Sequence, residues 1–163
     1  MPLTPDWAAF FAAELGALAA LTGFVVVAIS INLARILEIP HLPSRAGEAL
    51  IGPVAALTAT SLVLIPEQPA RLLGTGLIVI GLVAVVGPIV FQTRAWGLRK
   101  EATAVEWATR AAMNEGFSLA FVIGGAFIFA AARSGLYWIA AGDVLCIIAI
   151  VMSAWVLMVE ILR

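Results

Sequence analysis

Charge is scarce in this sequence. Asp, Glu, Lys and Arg supply 12% of the 163 residues while 63% are apolar and the mean hydropathy is +1.11, against about 25% charged residues in an ordinary soluble domain. No fold of a chain this short can hide so much apolar surface from water, which excludes a water-soluble domain and makes the bilayer the solvent. Cysteine is rarer still. The single thiol, Cys146, excludes an intrachain disulfide, and its setting in an apolar run reads as a small buried side chain. The one histidine, His41, has no second ligand at metal-motif spacing, so no metal site is expected. No Ser/His/Asp or Cys/His set, no H-E-x-x-H motif and no phosphate-binding glycine loop occurs, so neither an enzyme nor a bound cofactor is expected. The nine basic residues are scattered, without a basic patch interleaved with aromatics, which excludes nucleic acid as a partner.

The charges that are present fall between five apolar stretches, Leu15–Ala34, Ala49–Ile65, Leu72–Thr93, Gly116–Ala132 and Leu136–Val159. At about 1.5 Å rise per residue each is long enough to cross a hydrocarbon core of about 30 Å, the second and fourth only just. With flanking residues the expected spans are about 8–37, 47–65, 70–93, 113–132 and 136–159, in one all-α, polytopic membrane domain covering residues 1–163. The first basic residue is Arg35, and Asp6 precedes the first span, so that span does not read as a cleaved leader and is expected to stay. Arg35, Arg45, Arg94, Arg99, Lys100, Arg110 and Arg163 fall on one side of the membrane and Arg71 and Arg133 on the other. The positive-inside rule then puts the N-terminus outside and the C-terminus in the cytoplasm. Trp7, Tyr137 and Trp138 fall at expected outer ends and Trp96 and Trp155 near inner ends, as interfacial aromatics should.

Prolines divide the chain. Pro40 and Pro43 stop the first span after a run expected to continue unbroken to about Leu37, and Pro66 with Pro69 forms the turn between spans two and three. Gly52-Pro53 and Gly87-Pro88 mark a local kink and a hinge. The Arg94–Glu115 connection lacks proline and is rich in alanine. It reads as helix continuing beyond the membrane surface, or as an interfacial helix anchored by Val105 and Trp107.

Helices in lipid gain little from burying apolar surface against one another, so small residues that admit close approach mark their contacts. Ala12, Gly16 and Ala20 form such a row on the first span, and Gly116, Ala120 and Gly124 on the fourth. Each row suits a contact within the bundle or with a neighbouring protomer. Ionisable groups at membrane depth point to function more directly, because each is costly unless neutralised, hydrated or paired. Glu14 and Asp143 both reach the outer third of the bilayer, and they would form a proton-sharing or cation-attracting pair if spans one and five touch. Glu14 and Asn32 are eighteen residues apart, five whole helical turns, with Leu21, Val25 and Ile29 on the face between them. In a ring of identical subunits, that face would combine an outer cation or proton site with an apolar gate. The alternatives are that Glu14 is protonated, or bonded to a hydroxyl such as Thr58, Thr60 or Ser61, and locks helices together, or that it meets a partner within the membrane. Asn114 and Glu115 read as the cap of span four.

Phe10-Phe11-Ala12-Ala13-Glu14-Leu15-Gly16, Ala20-Leu21-Thr22-Gly23 and Ile29-Ser30-Ile31-Asn32-Leu33 form a pattern. It continues through Leu42-Pro43-Ser44-Arg45-Ala46, Glu48-Ala49-Leu50 and Leu64-Ile65-Pro66. The pattern resembles a family of small bacterial integral membrane proteins, some labelled modulators of a membrane-bound AAA protease. The resemblance implies a bacterial inner-membrane location and carries no catalytic residue. The leading expectation is a homo-oligomeric cation or proton pathway. The rival is a non-conducting accessory subunit that docks on a larger membrane complex.

Overall fold

The computed structural model describes residues 4–39, 42–96 and 104–162, with the side chains of 91–115 and 156–162 left aside. Pro40, His41, Arg99, Lys100 and Arg163 therefore lie outside the described residues, as do the side chains of Arg94, Trp96, Val105, Trp107, Arg110, Asn114 and Glu115. Six helices follow one another: α1 Pro5–Ile31, α2 Leu33–Glu38, α3 Leu42–Leu64, α4 Ala70–Trp96, α5 Ala104–Phe129 and α6 Gly135–Leu162. No strand occurs among the described residues. A chain whose backbone must satisfy its own polar groups in lipid has this solution or a closed barrel.

Four of the helices are long and apolar enough to cross a membrane: Pro5–Ile31, Leu42–Leu64, Ala70–Val90 and Gly135–Trp155. Helix α5 contributes a shorter apolar segment, Gly116–Phe129, among the described residues. Large apolar side chains such as Phe24, Val27, Leu72, Val83, Ile148 and Trp155 point outward all round the bundle. That surface suits lipid and would aggregate in water, so the architecture fits a multi-pass membrane protein.

The first helix does not run unbroken to Leu37. It stops at Ile31, turns at Asn32 and resumes as α2. The Asn32 side chain causes the break: its amide Nδ2 donates to the Ala28 carbonyl at 2.9 Å, the acceptor its own backbone N–H would use in a continuous helix. Within α2, Arg35 pairs with Glu38 at 3.2 Å on the surface, a contact worth well under about 1 kcal/mol at that exposure.

Helices α3 and α4, and α5 and α6, form antiparallel hairpins. Their turns lie at the end of the bundle where α1 begins, since Trp7 packs edge-on against Tyr137 with ring centroids 4.9 Å apart. This is called the hairpin end below, and the opposite one the α2 end. Gln68 caps α3 there, its side-chain amide donating to the carbonyls of Leu62 and Ile65. The other hairpin turn closes α5 with a double bond pattern, Ala132 N–H to Phe127 O and Ala131 N–H to Ile128 O, both 2.8 Å. That motif requires a left-handed residue, and Ala131 occupies it at φ 60. A Cβ is disfavoured in this conformation, so Ala131→Gly is expected to stabilise the folded protein by about 1 kcal/mol in a detergent unfolding titration.

Glycines set the tightest contacts. A Cβ on Gly74 would come within 2.5 Å of the Phe129 nitrogen and 2.7 Å of the Gly125 oxygen. One on Gly125 would meet the Gly74 oxygen and the Ile78 nitrogen, each at 2.9 Å. Here α4 and α5 touch backbone to backbone. Helices α5 and α6 do the same through Gly124 and Gly135, whose built Cβ atoms would lie 2.9 and 2.5 Å from each other's carbonyl oxygens. The α5 row of small residues thus works partly inside the bundle: Ala120 is buried and Gly124 is in contact with α6, while a Cβ on Gly116 meets nothing within 4 Å. The α1 row differs. Ala12, Gly16 and Ala20 all face outward, and a Cβ on Gly16 meets nothing within 4 Å. Helix α1 is the most peripheral element, with 11% of its membrane-length window buried against 44% for α6. It packs on α3 and α6 through Phe11, Leu18 and Val25.

Candidate polar site within the bundle

Helix α6 carries its only acidic residue of membrane depth, Asp143, on the face turned toward α3. The side chain is completely buried. Eight residues beyond the start of α6, it sits about 12 Å into the bundle from the hairpin end. Helix α3 runs antiparallel to α6 and brings Thr60 to the same level. The Thr60 hydroxyl lies 3.0 and 2.9 Å from the two carboxyl oxygens of Asp143 and also donates to the Ala56 carbonyl at 2.9 Å.

Counting hydrogens clarifies this triangle. A hydroxyl has one hydrogen and cannot donate to Ala56 and to Asp143 at once. All the groups are satisfied when Thr60 donates to Ala56 and a carboxylic O–H of Asp143 donates to the Thr60 oxygen. The triangle is therefore compatible with a protonated Asp143. Releasing that proton leaves Thr60 free to turn its own hydrogen toward the carboxylate, so the same three groups accommodate both states.

Glu14 on α1 completes the cluster. Helices α1 and α6 are in contact, and Glu14 lies within electrostatic reach of Asp143. Its Oε2 is buried and has no hydrogen-bond partner. The expectation that Glu14 bonds a hydroxyl of α3 fails for Thr60, which serves Asp143, and for Thr58, which donates to the Val54 carbonyl of its own helix at 2.7 Å. The sequence pairs Glu14 with Asp143 by depth alone. It does not single out Thr60 as the residue on Asp143, since three hydroxyls of α3 lie near that level.

The other residues on the Glu14 face of α1 turn inward. Val25 is buried, and Leu21 and Ile29 pack against the central apolar cluster. They line the protein's own core and do not lie on the outward surface where a ring of copies would place a pore. Asn32 sits at the α2 end, bonded to its own helix and far from the two carboxyls.

Cys146 lies one turn beyond Asp143 on α6 and is fully buried. N-ethylmaleimide is expected to leave it unmodified in the folded protein and to modify it in SDS, read as one mass increment. Among the described residues no group of three His, Cys, Asp or Glu side chains is placed to hold a metal ion. Two carboxyls and a hydroxyl in a largely apolar core are groups able to share a proton. Comparison with protein-family models, curated proteins and solved structures finds no match for this chain.

Proposed function

We propose that this protein is a homo-oligomeric membrane protein of the bacterial inner membrane that carries protons through each protomer, with Asp143 as the central carrier and Glu14 as its outer partner. The observation that carries this reading is the Asp143–Thr60–Ala56 triangle, a carboxyl with a dedicated hydroxyl in a core that holds few other polar groups. A membrane interior tolerates such a group at a cost of several kcal/mol, and structural packing alone does not require it. A proton is favoured over a metal cation because the site offers few oxygens and Asp143 is sealed from solvent.

In this reading the chain crosses five times, with α5 supplying the fourth span. Its 26 residues pack along both α4 and α6. The loop charges orient it with the N-terminus outside and the C-terminus in the cytoplasm. Leu21, Val25 and Ile29 form the apolar barrier that keeps the site dry on the α1 side, and hydration of that barrier gates passage. Asn32 marks the inner end of the same face. The bacterial setting rests on the pattern from Phe10 to Pro66 described above.

Glu14→Gln tests the outer half. In proteoliposomes with a trapped pH dye and a potassium diffusion potential, the variant is expected to slow acidification strongly while the protein remains folded. Flux equal to wild type would remove Glu14 from the path.

The exposed Ala12, Gly16 and Ala20 row supplies the contact between copies, since it admits a second helix at close range and nothing among the described residues covers it. Gly16→Leu is expected to leave protomer stability unchanged and to shift native mass spectra from oligomer to monomer. The rival reading is an accessory subunit on a larger complex, using the same row against a foreign helix. It predicts that wild type extracted gently from its membrane carries a heterologous subunit that the Gly16→Leu protein loses.

A further inference from the structure

Independently of that proton reading, we propose that a cleft among α3, α5 and α6, lined by Glu48, Ala49, Pro53, Phe117, Cys146 and Ser153, is a water site that meets the Ala49 carbonyl left free by Pro53. The cleft has a cavity volume of about 20 Å³, and about 10–15 Å³ is enough for a single water.

Antiparallel register places it. Thr60 and Asp143 lie at one level, and moving toward the α2 end means descending α3 and ascending α6. Cys146 is about 4.5 Å below Asp143 by helical rise, and Ser153 about 15 Å below. On α3, Pro53 is about 10 Å below Thr60 and Glu48 about 18 Å. The lining thus begins within a turn of the buried carboxyl and ends at an acidic residue near the end of the bundle.

The backbone supplies an independent reason for water. Pro53 sits inside α3 and has no N–H, so the Ala49 carbonyl cannot receive its usual helix bond from residue 53. Both residues line the cleft. In a membrane span, freed carbonyls of this kind are met by a side chain, a neighbouring helix or a water. A water here has the Ala49 carbonyl, the Ser153 hydroxyl and the Glu48 carboxyl among the polar groups of its lining, the two to four partners a buried water needs.

Cys146, the lone thiol, serves as the reporter. Silver ion is small, thiol-reactive and travels only through water, whereas N-ethylmaleimide is too large for the cleft. Folded protein in detergent is exposed to Ag⁺, quenched, denatured in SDS and labelled with N-ethylmaleimide, and any thiol that fails to label had been reached by silver. Wild type is expected to lose maleimide labelling after silver treatment. Ser153→Leu and Ala49→Leu, which fill the cleft from opposite sides, are expected to keep it. Using both guards against one of them misfolding, and size-exclusion profiles report that.

If silver never reaches Cys146 in wild type, or reaches it equally in both filled variants, the water site is overturned. The proton reading is judged separately, by flux. Flux with a silver-inaccessible thiol would overturn the cleft while leaving Asp143 as carrier, and a silver-accessible thiol with no flux would keep the hydrated cleft and overturn the proton pathway.

Discussion

Gly125→Leu will prevent α4 and α5 from docking, and the purified protein is expected to aggregate or to elute as a broad, expanded species with reduced thermal stability. A Cβ alone at this position meets the Gly74 oxygen and the Ile78 nitrogen, each at 2.9 Å, and neither is a flexible side chain that can swing away. The whole helix has to move. Overpacking a well-packed site costs about 1–3 kcal/mol, and a clash with backbone belongs at or beyond the upper end of that range. Because apolar burial gives helices no advantage over lipid, lost close contact is not offset by anything the displaced surfaces gain. Gly16→Leu is the matched control, adding the same side chain where a Cβ meets nothing. If Gly125→Leu melted together with wild type and with Gly16→Leu, the glycine contacts would not be holding the bundle.

The second large effect concerns chemistry. Asp143→Asn keeps the size and shape of the side chain and one donor for the Thr60 oxygen, but it cannot release a proton. Proton flux is expected to fall to the leak of protein-free vesicles, with the melting temperature close to wild type. Thr60→Val should act differently. It strips the buried carboxyl of the hydroxyl beside it and is expected to destabilise the fold by about 1–3 kcal/mol. In the double variant Thr60→Val with Asp143→Leu much of that stability should return, because a buried polar pair replaced by apolar groups of similar size is often neutral. Interhelical polar pairs in membranes show coupling of about 0.6–1.7 kcal/mol in such cycles. Full flux through Asp143→Asn would leave the triangle a structural lock between α3 and α6.

Helix positions were legible in the sequence because length and hydropathy suffice in lipid: proline and charge mark where each long run stops. Which face each helix turns inward was not. In water the buried face is the apolar one, but here core and lipid surface are both apolar, so Val25 in the core and Phe24 in the lipid look alike in sequence. Small-residue rows were ambiguous for the same reason. The α1 and α5 rows share one spacing, yet Gly124 is pressed against Gly135 while Gly16 faces open space. The break at Asn32 was hidden because it depends on a side-chain amide taking one carbonyl, a choice that helix propensity does not record. Glu14 and Asp143 could be matched by depth, since polar residues in a hydrophobic run are few enough to stand out. The partner of Asp143 and the cleft below it depend on the register between α3 and α6, which no single helix contains.

Helix α1 seats on α3 and α6, and α1 leaves the ribosome well before α6. During synthesis, then, Glu14 enters the bilayer long before the helix that bears Asp143 exists. Until α6 arrives, α1 has only α3 to lean on, and its carboxyl must be borne by lipid, by interfacial water or by an insertion factor. Emergence of α6 is what brings the two acids together. A Glu14 carboxyl without α6 beside it therefore distinguishes an unfinished bundle from a finished one.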